Sequence, residues 1–335
     1  MKSGDGQSGG ASRGSFVISL DFELMWGVRD HLSIREYGDA VLGVRTALPR
    51  LLRLFEQRGI AATWATVGML MFDNRDELVE FFPRLKPGYV DRNLSPYGNF
   101  DEVGRNEAED PYHFGLSMMM QIVNTPRQEI GTHTFSHYYC LEPQQDVDAF
   151  AADLDVAIAS AKRLELSLKS IVFPRNQYDS AHLEACRARG IHVFRGNESH
   201  RFYRPSPKTG EKLPKRFGRL IDSYLDLTGH QGNHPQMTAG LFNVPASRFL
   251  RPFNSKLSFA DPLRLRRITN AMAACAKQNL IYHIWFHPHN FGRNQDANFM
   301  FLTSVLDHFE MLRDELGWQS RSMAEAAACS RNGCL

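Results

Sequence analysis

The sequence predicts an α/β fold in which a parallel sheet, closed or open, gathers its polar chemistry at the carboxyl ends of the strands. Three observations lead there. Short apolar runs alternate with amphipathic helical segments. The first of these runs, Phe16 to Phe22, is largely apolar, as a parallel strand buried on both faces requires. Several runs end in carboxylate, guanidinium or imidazole side chains, where sites in parallel sheets lie. With 335 residues, 43% hydrophobic and 23% charged, the chain has an ordinary globular composition and can bury a large core.

Each element follows from local pattern. Phe16-Val17-Ile18-Ser19-Leu20-Asp21-Phe22 reads as the first strand, ending in acid. Val41, Val44, Leu48, Leu51, Leu52 and Phe55 recur at helical spacing, and Gly59 stands where a C-terminal cap belongs. Ile60 to Val67 is the second strand, and Gln128 to Gly131 closes another. Leu85 to Leu116, irregular and interrupted by Gly and Pro, is expected to be a long rim loop. Val147, Phe150, Leu154, Ile158 and Ala161 share a helix face. A strand at Lys169 to Phe173 leads to a helix capped by Asp179 or Ser180 and stopped at Gly190. Ile191 to Phe194 and Ile281 to Phe286 are further strands, and Asp261-Pro262 reads as an N-cap followed by proline at the first helical position.

Residues 1–14, rich in Gly and Ser and lacking an apolar h-region, read as a disordered tail rather than a secretory signal. A single domain is expected over residues 15–335. Five scattered cysteines, Cys140, Cys186, Cys275, Cys329 and Cys334, form no C-x-x-C pair and read as reduced thiols of a cytoplasmic protein. No apolar run is long enough to span a bilayer. The net charge of +2 conceals an asymmetry: Arg201 to Arg267 holds 13 Lys/Arg against four Asp/Glu, which is +9, leaving −7 elsewhere. A basic insertion is therefore expected around residues 197–256.

The strand ends hold the candidate chemistry. Asp21 and Glu23 flank Phe22 and, by strand alternation, can face one side. Glu129-Ile130-Gly131-Thr132-His133-Thr134-Phe135-Ser136-His137 follows another strand. His133 and His137, four apart, could point the same way from one helical turn and bind a metal. Phe173-Pro174-Arg175-Asn176-Gln177 ends a third strand, and His287-Pro288-His289-Asn290 ends the last. His283, inside an apolar strand, reads as a core histidine. Read singly, Asp21 could be a helix cap, Glu23 a solvated rim residue, and His287 and His289 turn residues; together they suggest one site.

This set resembles the NodB-type polysaccharide deacetylases, carbohydrate esterases that remove N- or O-acetyl groups from sugars. The resemblance runs from about Phe16 to about Phe291. Its most specific element is "HTFSH", similar to the family's H-[ST]-x-x-H metal motif at His133 and His137. "SLDFE" resembles the first motif, usually T-F-D-D-G, with Asp21 at the base position; the adjacent second aspartate is absent, and Glu23 stands one residue further on. "FPRNQ" loosely resembles the third motif and "HIWFH" the last, whose histidine falls on His287. The fourth motif is not visible, and Arg195-Gly196-Asn197 stands about where it would be. "SLDFELMWGVRD" and "FHPHNFG" look most like the subgroup associated with bacterial surface-polysaccharide and lipopolysaccharide biosynthesis.

The resemblance implies a distorted (β/α) barrel with long rim loops. It implies a divalent metal held by His133, His137 and Glu23, with Asp21 as the alternative carboxylate, zinc before cobalt, nickel or iron. Asp21 would be the base, Arg175 would hold it ionised, and His287 would protonate the leaving amine. Trp26, Asn176, His289 and Asn290 would contact substrate. The alternatives are a NodB-like amidohydrolase acting on a non-sugar C–N bond, as in allantoinase-like relatives, and an inactive sugar-binding module. The expected partner is an acetylated sugar carried on a nucleotide or a lipid diphosphate, with the basic segment as a cationic lip; neither nucleic acid nor a transmembrane segment is expected, though peripheral membrane contact is compatible.

Overall fold

The computed structural model describes residues 14–98, 100–203 and 213–331. All but the last residue of the expected tail, and Cys334, lie outside them. The chain opens with β1 (Ser15–Phe22), α1 (Ile34–Leu42), α2 (Val44–Arg58), β2 (Ala62–Thr66), α3 (Arg75–Glu80) and α4 (Leu116–Val123). It continues through β3 (Gln128–Thr132), α5 (Val147–Arg163), β4 (Ser170–Ile171), α6 (Ser180–Ala188), β5 (Val193–Phe194) and α7 (Leu213–Asp222). It then forms β6 (Gln236–Thr238), β7 (Leu241–Asn243), β8 (Arg248–Phe249), α8 (Asp261–Lys277), β9 (Tyr282–Phe286), α9 (Gln295–Leu316), β10 (Gln319–Arg321) and α10 (Met323–Arg331).

These strands form one 10-stranded sheet in the order β6-β7-β5-β4-β3-β2-β1-β9-β8, with β10 beside β1. All pairings are parallel except β6 with β7. Every residue of β1 is buried: Phe16, Ile18, Leu20 and Phe22 enter the main core, while Ser15, Val17, Ser19 and Asp21 share the opposite face. Along one side β1 meets β10 first, at residues 15–17, and β2 next, at residues 18–22. The arrangement is a distorted (β/α) barrel.

Most expected elements have their counterparts here. The expected helix around Val41 to Phe55 is two helices, α1 and α2, meeting at Gly43. Ser33 and Glu36 form a capping box at the head of α1. At α8 the cap shifts: a 3₁₀ turn spans Ser255–Ala260, Ala260 is the cap, and Asp261 sits in the first turn, paired with Arg264 at 3.1 Å. The expected basic insertion is not an excursion from the sheet, because it supplies β6, β7 and β8. The expectations omit α9, although Phe299, Leu302, Leu306 and Phe309 are buried at helical spacing and Gly317 ends the helix in a left-handed conformation.

Two packing details position the site. The loop after β9 meets the α1–α2 junction through facing glycines. A Cβ on Gly43 would lie 2.1 Å from the Gly292 carbonyl oxygen, and one on Gly292 would lie 1.8 Å from that of Ala40. The loop after β3 is pinned from α5 by the buried carboxylate of Asp153, which accepts from the backbone N–H of Phe135 at 2.6 Å and of Ser136 at 3.2 Å, and from the Ser136 hydroxyl. Burial raises the Asp153 carboxyl from 3.8 to about 6, although these donors oppose the shift.

Two expectations follow. Gly43→Ala should cost about 1–3 kcal/mol of stability through overpacking, whereas Gly98→Ala, with open space around its Cβ, should cost little; equal denaturant midpoints would contradict the contact. For Asp153, a raised carboxyl pKa means that the folded state holds the proton more tightly than the unfolded chain. Its contribution is therefore fullest below about pH 4 and is lost as pH rises towards 6. Relative to Asp153→Asn, the native protein should lose about 3 kcal/mol of stability between about pH 4 and pH 7, measured by chemical denaturation. A difference independent of pH would mean that Asp153 titrates as an ordinary carboxyl.

Candidate metal centre and active site

β1 delivers Asp21 at its end and Glu23 just beyond it, where the chain turns through Leu24 with φ of 46°. Both carboxylates are 3% exposed. Glu23 stands between two imidazole pairs. Its Oε2 lies 3.3 Å from His133 Nε2 and 3.1 Å from His137 Nε2. Its Oε1 lies 3.7 Å from His287 Nε2 and 3.9 Å from His289 Nδ1. Burial alone would raise the Glu23 carboxyl, but the surrounding imidazoles outweigh it and hold the group well below the usual carboxylate range.

His133 and His137 do not project from a helical turn. Their loop is irregular, with Thr134 at φ 64° and His137 at φ 59°, and Asp153 holds the intervening backbone. His133 Nδ1 is 2.8 Å from the Val172 carbonyl, to which it donates, so its Nε2 is the atom that faces Glu23, as a lone pair in the neutral ring. An imidazole lone pair facing a carboxylate oxygen requires a cation between them, either a proton or a metal. Glu23, His133 and His137, all buried, offer ligand atoms within 4.8 Å of one another, and Glu23, His287 and His289 form a second such group. Two imidazoles and a carboxylate are a donor set suited to zinc and its neighbours.

Asp21 is ordered by a residue that its expected role did not include. Arg195, at the exit from β5, donates from Nη1 to Asp21 Oδ1 at 2.7 Å and from Nη2 to Oδ2 at 2.8 Å. The same guanidinium reaches Ser19 Oγ at 3.0 Å and Asn176 Oδ1 at 3.1 Å, and lies 4.3 Å from the centre of the Trp285 ring. Burial would raise the Asp21 carboxyl; the attraction of Arg195 together with that of His133 and His287 outweighs it, and the net shift is downward. Below this pair, His283 Nδ1 meets the Val244 carbonyl at 3.1 Å and its Nε2 meets Ser19 Oγ at 2.9 Å. His283 is fully buried and held neutral, its pKa lowered to about 3 chiefly by burial. The Arg195-Gly196-Asn197 stretch already stood out in the sequence, but only its position.

Arg175 is placed elsewhere than expected. It pairs with Asp30, and with Glu142 at 3.0 Å, and its guanidinium covers the Tyr139 ring at 4.0 Å. Tyr139 in turn meets His137 edge-on at 5.0 Å, so Arg175 backs a histidine rather than Asp21. His287 is the most exposed of the cluster, 23% by side chain, and its Nε2 lies 3.8 Å from Asp21 Oδ2. The remaining expected residues are turned to internal partners. Trp26 is 2% exposed, donates to the His113 carbonyl at 2.8 Å and stacks on Phe100, which corrects the expectation of substrate contact. Asn176 accepts from Arg195. Asn290 accepts from the His287 backbone N–H at 3.3 Å and lies as close to that ring's Nδ1, aiming Nε2 at the carboxylates. His289 is 5% exposed, stacks on His287 at 4.8 Å and is kept neutral by burial, its pKa lowered to about 3.

The basic segment is not one solvated lip. Arg248 pairs with Asp222 at 2.7 Å and Arg267 with Asp226 at 3.0 Å, and both cations are buried, as is Arg264 against Asp261. Arg201, Arg216, Lys256 and Arg266 remain on the surface. Among the described residues, no helix is long and apolar enough to cross a membrane.

No family model matches the sequence. No curated protein matches it either. Solved structures do resemble it. A protein assigned as a polysaccharide deacetylase from Mycobacterium smegmatis aligns with 100% of this chain and 94% of its own, with a TM-score of 0.59 at 12% identity. Another from Pseudomonas aeruginosa PAO1 aligns over 96% and 91%, with a TM-score of 0.53 at 11% identity. PuuE allantoinase aligns over 94% and 88%, also at 0.53, with 10% identity. The likeness is one of architecture: this chain has the NodB-type fold of the polysaccharide deacetylases.

Proposed function

We propose that this protein is a divalent-metal-dependent deacetylase, a single domain over residues 15–335, that hydrolyses an N-acetyl group of a sugar during bacterial surface-polysaccharide synthesis in the cytoplasm. The observation that carries this reading is the buried convergence of His133 and His137 on one oxygen of Glu23, with Asp21 and His287 beside it. The fold shared with polysaccharide deacetylases supports it. Zinc fits the donors best. When bound to Glu23, His133 and His137, such an ion supplies an acidified water and polarises the acetyl carbonyl.

The chain's own residues account for the rest. Asp21, kept ionised by Arg195, is the base that takes the proton from the attacking water. His287 Nε2 opens towards both carboxylates and is the group placed to protonate the departing amine. Asn290 holds that ring in place. The Val172 carbonyl fixes His133 as a ligand by its Nε2. The acetylated sugar is proposed to be carried on a nucleotide or a lipid diphosphate, a reading supported by the surface cations Arg201, Arg216, Lys256 and Arg266.

Metal analysis with acetate-release assays on N-acetyl sugars tests this directly. His133→Ala and His137→Ala should each lose most bound metal and nearly all turnover. Asp21→Asn should keep metal and lose turnover, whereas Glu23→Gln should lose both. Full activity in all four variants would sink the site assignment, and allantoin hydrolysis without acetate release would move the protein to the allantoinase-like reading.

Removing the two arginines should have separable effects. Arg195→Gln leaves Asp21 buried without its partner, and kcat should fall by about 100-fold or more with metal retained. Arg175→Gln should act chiefly on stability and metal affinity, through Tyr139 and His137. A larger kcat loss in Arg175→Gln than in Arg195→Gln would restore Arg175 as the residue orienting the base.

A further inference from the structure

α7 does not bury its apolar stripe. Phe217, Ile221 and Leu225 recur every four residues, and the Leu225 N–H donates to the Ile221 carbonyl at 2.9 Å, carrying helical geometry past Asp222. Phe217 is 63% exposed and Leu225 54%. Arg216 is exposed on the flank of this stripe. The helix is nonetheless firmly seated at its C-terminal end. Asp222 is buried, accepting from Arg248 at 2.7 Å, the Tyr203 hydroxyl at 2.7 Å and the Thr228 hydroxyl at 3.0 Å. The exposed phenylalanine therefore stands on an anchored helix.

A second apolar group lies at the head of α8, where Phe259 is 81% exposed and Leu263 49%. Lys256 and Arg266 are exposed beside it. The two regions are tied together, since Arg251 Nε donates to Ser223 Oγ at 2.7 Å and Arg264 Nη1 donates to the Arg251 carbonyl at 2.7 Å. The head of α8 lies at the carboxyl-end rim, because α8 leads from the end of β8 back to the start of β9. Phe249 of β8 contacts the His287 ring at 5.8 Å between centres, so the rim carrying this surface is the rim carrying the site.

Exposed aromatic and aliphatic side chains set among cations are the composition of a surface that lies in the headgroup region of an anionic bilayer. The aspartates that could neutralise the segment, Asp222, Asp226 and Asp261, are instead engaged by buried Arg248, Arg267 and Arg264. We infer that α7 and the head of α8 dock this protein on an anionic lipid surface, presenting the site to an acetylated sugar carried on a lipid diphosphate. The choice of substrate rests on the deacetylase reading above; the docking does not.

The test is flotation of the full chain with vesicles of phosphatidylglycerol in phosphatidylcholine and with vesicles of phosphatidylcholine alone. Binding to the anionic vesicles should be about tenfold tighter or more and should weaken with salt. Phe217→Glu with Leu225→Glu should lower it about tenfold, with melting temperature and deacetylation of a soluble acetyl sugar unchanged, and Arg216→Glu with Lys256→Glu should lower it about tenfold with melting temperature unchanged. Equal binding to both vesicles, no binding, or variants that bind like the native chain would overturn the inference. So would a dimer that Phe217→Glu dissolves in a protein that ignores vesicles, because the patch would then join two copies. Vesicle binding without acetate release would remove the deacetylase reading and leave the docking standing.

Discussion

An ionised carboxylate sealed from water costs several kcal/mol unless it is paired, and the first strand carries two of them, Asp21 and Glu23, at its buried end. Each is compensated differently. Asp21 receives a bidentate guanidinium, the geometry in which arginine and carboxylate interact best. Glu23 receives only imidazoles, and His133, its Nδ1 committed to the Val172 carbonyl, meets it through Nε2. One acid is thus satisfied within the protein, whereas the other calls for a cation, a proton or a metal ion, between it and the imidazoles. The backbone around them is correspondingly unusual. Leu24, Thr134, His137, Arg175 and Asn176 all adopt left-handed φ values, a conformation that persists where neighbouring contacts over-determine it.

Much of this was legible in the sequence because its causes are local. The run from Phe16 to Phe22 is largely apolar because both its faces are covered, and the terminal acids follow directly. The Asp179 cap of α6 and the glycine end of α2 are likewise read within a few residues. Arg195 was legible only as a position. Its partner lies 174 residues away, and no periodicity or spacing indicates which strand-end arginine turns inward. Arg175 stood in the expected motif, yet its left-handed backbone at φ 53° points it to Asp30 and Glu142. The two histidines were found by spacing, although the helical turn offered as the reason for their convergence is absent. A loop pinned by Asp153 does that work, and nothing in the spacing names Asp153.

The same long-range limitation governs the basic segment. Counted along the sequence, its cations look like one field. Among the described residues they include buried arginines that staple α7, α8 and the strands between them, and surface ones that meet solvent. Arginine suits both uses: its planar, weakly hydrated guanidinium tolerates burial against aspartate, and its charge persists at any physiological pH. Net charge alone could not distinguish these populations.

The route of the chain through the sheet fixes when the site can exist. His137 and Glu23 are 114 residues apart, and His287 joins them only after β9 has paired with β1. β10 then occupies the first three residues of β1, below β2. On a ribosome, therefore, the central strand waits with both acids exposed until nearly the whole described chain has emerged. The cluster of acids and imidazoles is assembled late, by contacts of high sequence separation that form slowly. Any ion that depends on this cluster can be held only once the chain is almost wholly released.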